Sequence, residues 1–244
     1  METSVKAKSK ANGKVEIQGL WWKVLTGVLM IYVCYGAFFI AQPAKGFNGG
    51  AGETARIVFF HVPVAVLSYI AYCVGAWHAI SVLRARSKPG LAGRNSDADR
   101  KSAAAMELGF VYCILATITG SLFSGAQWNS YWNWDPRQIS IVIMLLVYAA
   151  YLLLRSALSD RTDRRAELSA VYCLLALVPA TFLIWIVPRL PWLMSLHPTE
   201  VLAQPKNTSL DYKMVLYPSF IAFFMLFGWM LQLRVRMMRL LSRG

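Results

Sequence analysis

Residues 57–83 read IVFFHVPVAVLSYIAYCVGAWHAISVL and contain no Asp, Glu, Lys or Arg. A helix crossing the hydrocarbon core of a bilayer needs about 20 mainly apolar residues. A charge at its centre costs roughly 2.5–3.5 kcal/mol on insertion scales. The segment meets both conditions with residues in hand. Five further charge-free stretches lie at 24–44, 108–134, 138–154, 168–188 and 214–233. The shortest of them, 138–154, sits at the lower limit of about 17 residues for a span. The pattern predicts an all-α integral membrane protein with six transmembrane helices.

Composition agrees. Of 244 residues, 57% are hydrophobic and 15% charged, against about 25% charged in a soluble domain. These values exclude a disordered chain, a collagen-like chain and a typical soluble enzyme. The net charge of +13 suggests nucleic acid, but its placement argues for membrane topology instead. With a cytoplasmic N-terminus, 19 of the 25 Lys and Arg residues fall on the cytoplasmic side of the six spans. Excess basic residues mark cytoplasmic loops, so both termini are expected inside, with contact to anionic lipid as a consequence. The expected organisation is a basic cytoplasmic tail at 1–19, a six-helix membrane domain at 20–233 and a second basic tail at 234–244. The first apolar stretch exceeds the apolar core of about 7–15 residues in a cleavable signal and reads as a span.

Little in the sequence suggests catalysis. Cys34, Cys73, Cys113 and Cys173 all fall inside predicted helices and read as small packing residues. There is no C-x-x-C-H haem-attachment motif. The chain also has no G-x-x-x-x-G-K-[ST] phosphate loop, so an ATP-driven process built on it needs a separate ATPase. No acid–base or nucleophile pair stands out, and the chain is not expected to be an enzyme.

The most unusual segment lies at 126–138, on the outer side between the third and fourth spans. It carries Trp128, Tyr131, Trp132 and Trp134, with Asn129 and Asn133 among the rings. Interfacial anchoring is one reading. Four aromatics in one loop also make a platform for a flat, largely apolar ligand. Asp135-Pro136-Arg137-Gln138 carries the signals of a capping box, with Asp as N-cap and Pro at the first helical position. The fourth helix is therefore predicted to start at Pro136.

Three histidines are present. His61 and His78 are 17 residues apart on the second span, about 26 Å at 1.5 Å per residue, and cannot share a site. His78 reads as an interfacial polar residue near the basic side. His61 and His197 both fall on the outer side, with the tryptophans. Neutral imidazole is a common metal ligand and haem iron often takes axial His. Two outer histidines and an aromatic platform point to bis-His haem at the outer surface. Arg56, Arg137 and Arg189 stand at outer helix ends, either as carriers of propionate carboxylates or as snorkelling anchors.

The segment Trp128…Trp132-Asn133-Trp134-Asp135-Pro136-Arg137 resembles the tryptophan-rich motif of the haem-handling proteins of cytochrome c assembly. Arg56-Ile57-Val58-Phe59-Phe60-His61-Val62-Pro63 resembles the histidine stretch of one branch, haem exporter protein C (CcmC), and Ser195-Leu196-His197-Pro198 its second histidine motif. The resemblance runs from the first span to the sixth. Asn129 stands where the family has Gly, and Tyr131 where this branch commonly has Trp. The resemblance implies non-covalently bound haem b in transit, ligated by His61 and His197. Trp128, Trp132 and Trp134 would lie against the ring, with Asp135, Arg56, Arg137 and Arg189 completing the binding set. It further implies presentation of haem to the periplasmic chaperone CcmE. The CcmA/CcmB ATPase and permease subunits and the small subunit CcmD would be partners in the cytoplasmic (inner) membrane. Three readings compete: a transmembrane electron carrier, which needs two His pairs; a permease for haem or a small solute; and a structural subunit, in which the tryptophans serve only as anchors.

Overall fold

The computed structural model describes residues 19–43, 51–86, 92–190, 192–196 and 209–242. Six helices are long and apolar enough to cross a membrane. Helix α1 spans Leu20–Tyr35 and is continued by a wide π turn, Gly36–Ile40. A short turn, Ala51–Thr54, and a 3₁₀ turn, Ala55–Ile57, lead into α2, Val58–Arg86. Helix α3 is Ala92–Trp128 and α4 is Pro136–Ala157. Helix α5, Thr162–Thr181, runs on through a π turn, Phe182–Ile186, and a 3₁₀ turn, Val187–Arg189. Helix α6 is Leu210–Leu241. Among the described residues there is no β-strand.

The α2–α3 pair forms the centre. Helices α1 and α6 pack on one side of it, α4 and α5 on the other. Between the four helices α2–α5 lies a cluster that includes Tyr72, Met106, Met144, Tyr148, Tyr151 and Cys173. Tyr148 is fully buried; its hydroxyl donates to the Ser68 carbonyl and lies over Gly109, where any side chain would collide with it. On the other side, Val33, Phe59, Val215 and Leu216 form the contact of α1 with α6 and α2. A Cβ at Gly36 would come within 2.8 Å of Val215, so this crossing needs glycine. All four cysteines are free thiols, and Cys113 and Cys173 are buried in the packing.

Two elements differ from the sequence expectation in extent. Helix α3 has 37 residues and starts well before its charge-free stretch. Its charged beginning stays helical because Asp97, Asp99 and Glu107 meet basic partners from α4 and α6. Arg155 binds Asp99 in a bidentate pair at 2.7 and 2.9 Å. Arg239 binds Asp97, and Arg234 binds Glu107. Helix α6 likewise continues through 234–241, which share these contacts. Of the basic tail at 1–19, residues 1–18 lie outside the described residues.

Pro63 and Pro218 lie within helices that run on as α-helix, whereas Pro179 acts where its missing N–H predicts. Pro179 cannot donate within α5, and the helix widens to the π turn Phe182–Ile186 one residue after Thr181, a common response to a break in the hydrogen-bond ladder.

Candidate functional site

One face of α3 organises the end of the bundle opposite the Asp97–Arg239 contacts. Thr119 and Phe123, and likewise Gly120 and Ser124, are four residues apart and share a face. Thr119 Oγ1 lies 2.9 Å from His61 Nδ1. The His61 ring also lies against Gly120, with Cε1 3.0 Å from where a Cβ would stand. One turn further, about 5.4 Å along the axis, Phe123 meets Trp128 edge to face at 5.8 Å. Beside it, the Ser124 hydroxyl donates to the Ser130 carbonyl at 2.7 Å. Helix α3 therefore seats the second helix's histidine and anchors the tryptophan loop one turn beyond it.

Trp128 is the last residue of α3, so the loop proper is 129–135. Asn129 has φ 52°, a left-handed conformation that Asn tolerates and Gly adopts freely. This accounts physically for Asn where the related motif has Gly. Asn133 is an interior brace: its amide donates to Ser124 Oγ at 2.8 Å, and its backbone N–H to Gln138 Oε1 at 2.8 Å. Trp132 and Trp134 cross edge to face at 5.8 Å and 89°. Trp134 has φ 55° and is 72% exposed. A bulky residue at positive φ is strained, and such strain concentrates at binding sites. Tyr131 is 68% exposed beside it, with its ring folded over Gly125.

Helix α4 starts at Pro136 as predicted, capped by Asp135 and with the capping box to Gln138 complete. Asp135 does more than cap. Its carboxylate accepts from Arg137 N at 2.8 Å, from the Ser195 hydroxyl at 3.0 and 3.1 Å, and from Leu196 N at 2.6 Å. It thus ties the tryptophan loop to the residues directly before His197. His197 itself lies outside the described residues. In the tied segment Trp192 is 75% and Met194 92% exposed.

Arg137 stands in the first turn of α4 and Arg189 ends the 3₁₀ turn after α5, at the same end of the bundle. The Arg137 Nε is buried and finds no hydrogen-bond partner among the described residues. Arg189 donates to the Trp185 carbonyl at 2.8 Å and stacks over the Trp185 ring at 5.2 Å. Trp185 in turn meets Tyr69 of α2 edge to face, and Tyr69 is hydrogen-bonded to Thr181 at 2.8 Å. Guanidiniums are suited to anionic oxygens. Arg56 is placed elsewhere, paired with Glu53 at 3.0 Å and with the Phe38 carbonyl at 3.3 Å.

The structure thus brings together Trp132 with Trp134, and Asp135 with Ser195 and Leu196. It sets His61 one turn from the Trp128 anchor and puts Arg56 against α1. Sequence reading missed Thr119, Gly120, Ser124, Tyr69 and Trp185. Thr and Ser inside an apolar span, and Gly opposite a histidine, carry no local signal until the partner helix is in place.

Fold and site together define a multi-pass membrane protein with an aromatic, arginine-bearing site at one end of a six-helix bundle. The family model described as heme exporter protein C matches residues 6–243. The heme exporter protein C of Paracoccus denitrificans is 31% identical over 76% of this chain and 73% of its own length. That of Rhodobacter capsulatus is 30% identical over 88% and 84%. That of Bradyrhizobium diazoefficiens is 32% identical over 77% and 66%. This chain belongs to the haem exporter protein C family. Membership supports a role in haem handling for cytochrome c maturation, as a transport or haem-handling membrane subunit within a system of several subunits.

Proposed function

We propose that this chain holds haem b non-covalently at the outer face of the cytoplasmic membrane and presents it to the chaperone CcmE. His61 and His197 are the axial ligands. Trp128, Trp132 and Trp134 line the ring, and Arg137 and Arg189 receive the propionates. Arg56 steadies the entry to α2 through Glu53 and the Phe38 carbonyl. Asp135 acts by holding Ser195 and Leu196, and so the start of the second histidine motif, against the loop. ATP hydrolysis belongs to a CcmA/CcmB pair, with CcmD alongside. Both termini, with the basic segments at 1–19 and 234–244, lie on the cytoplasmic side of the membrane domain at 20–233, in keeping with the excess of basic residues there.

The observation that carries this reading is the loop with the exposed Trp134, which α3 anchors one turn from His61 and Asp135 ties to the residues directly before His197. A flat, largely apolar molecule with a metal centre matches an exposed aromatic loop set between two histidine segments, and its carboxylates match the arginines that stand at the same helix ends. A merely anchoring role for the tryptophans does not account for the tie between their loop and the second histidine segment. The test is the absorption spectrum of detergent-solubilised protein, oxidised and reduced, beside His61→Ala and His197→Ala variants. A six-coordinate haem spectrum in the parent, weakened in each variant with membrane insertion intact, is expected. Normal haem content in both variants overturns the ligand assignment. Unchanged yield of the haem–chaperone adduct in Trp132→Ala overturns the role of the loop in transfer.

A further inference from the structure

The contact between His61 and α3 decides which imidazole nitrogen carries the proton. Thr119 Oγ1 lies 2.9 Å from His61 Nδ1. The same oxygen lies 2.7 Å from the Leu115 carbonyl oxygen and 3.3 Å from that of Ala116. A threonine hydroxyl has one proton, and a carbonyl oxygen can only accept. A separation of 2.7 Å between two oxygens is the length of an O–H···O hydrogen bond, so the single Thr119 proton points back along its own helix. Toward His61 the Thr119 oxygen can then act only as an acceptor. His61 Nδ1 is therefore the N–H nitrogen, and in the neutral ring Nε2 carries the lone pair.

Gly120 sets where the ring sits. An added Cβ there would stand 3.0 Å from His61 Cε1, 3.7 Å from Nδ1 and 3.8 Å from Nε2. The imidazole thus rests against bare α3 backbone, at a depth that a larger residue would change.

We infer that Thr119 is a positioning residue that locks His61 in the Nδ1–H tautomer, making Nε2 the metal-binding nitrogen, and that Gly120 provides the seat for the ring. The inference deepens the ligand role proposed for His61 and rests on it. Outer partners that orient a ligating histidine typically contribute 10–100-fold to metal affinity.

The first readout needs no haem. Protein labelled with ¹³C,¹⁵N-histidine in lipid bilayers is measured by solid-state NMR, with His61→Ala identifying the His61 signals. The Nδ1–H tautomer is expected for the parent and for Thr119→Ser, and a mixed or Nε2–H population for Thr119→Val, which matches threonine in shape but cannot accept. The second readout is haem titration: Thr119→Val binds about 10–100-fold more weakly, and Thr119→Ser restores parental affinity. Gly120→Ala, which keeps the hydroxyl, shifts the haem absorption bands without changing the tautomer. An Nε2–H ring in the parent, or an unchanged tautomer in Thr119→Val, overturns the Thr119 inference even where His61→Ala abolishes haem binding. Parental haem content in His61→Ala overturns the ligand role instead, and the NMR result then stands as a statement about the histidine alone.

Discussion

The two ends of the bundle treat arginine in opposite ways. At one end, Arg155, Arg234 and Arg239 reach across from α4 and α6 to Asp99, Glu107 and Asp97 on α3. The Arg155–Asp99 pair is bidentate and mostly buried. At the other end, Arg137 and Arg189 form no ion pair with a carboxylate side chain among the described residues. Asp135, the N-cap of α4, is engaged with Ser195, Leu196 N and Arg137 N. Cations with carboxylate partners hold helices in register. Cations without a carboxylate partner suit an incoming anion. The same residue type thus serves architecture at one end and, in the function proposed above, binding at the other.

Asp99→Ala is the most severe way to test the architectural end. Removing one partner of a buried pair costs about 3–5 kcal/mol. Unfolding in detergent should show a loss of that order, with haem bound per folded molecule unchanged. Haem loss without a stability loss would break the contrast.

Arg137→Gln and Arg189→Gln probe the other end. A hydrogen bond to a charged group contributes about 1.5–3 kcal/mol, so each change should weaken haem binding roughly 10–100-fold at unchanged melting temperature. Titration with haem dimethyl ester, which lacks free carboxylates, should abolish the difference between parent and variant. A persisting difference would assign these arginines to packing.

Asp135→Asn sharpens the comparison further. Asn caps helices about as well as Asp, but charge-assisted hydrogen bonds are roughly twice as strong as neutral ones. A loss of about 1 kcal/mol is expected, with faster proteolysis near Ser195 and weaker haem retention, while α4 keeps its start. Asn129→Gly should have the smallest effect, a few tenths of a kcal/mol, because both residues accept a left-handed backbone. A large change in haem affinity there would mean that the Asn129 side chain itself takes part in binding.

Much of this was legible in the chain. Charge-free stretches gave away every span, because lipid tolerates no uncompensated charge. Asp135-Pro136-Arg137-Gln138 announced the start of α4 through local capping chemistry, and the structure reproduces it. The tryptophans were visible as a cluster. The length of α3 was not: Asp97, Asp99 and Glu107 look like a loop until α4 and α6 supply their partners. Nor was the role of Asn133, which read as the polar side of an amphipathic loop and instead braces it from within.

Spans, their number and the start of the capped helix depend on properties that neighbouring residues carry with them: hydrophobicity, charge and hydrogen bonds within one turn. These the sequence by itself determined. The seat of His61 on Thr119 and Gly120 joins residues 58 apart, and the Asp135 tie to Leu196 joins residues 61 apart. Which arginines meet carboxylates also depends on helices crossing. Only the tertiary structure decided those, because a hydrogen bond or ion pair acts over about 3 Å of space and is indifferent to distance along the chain.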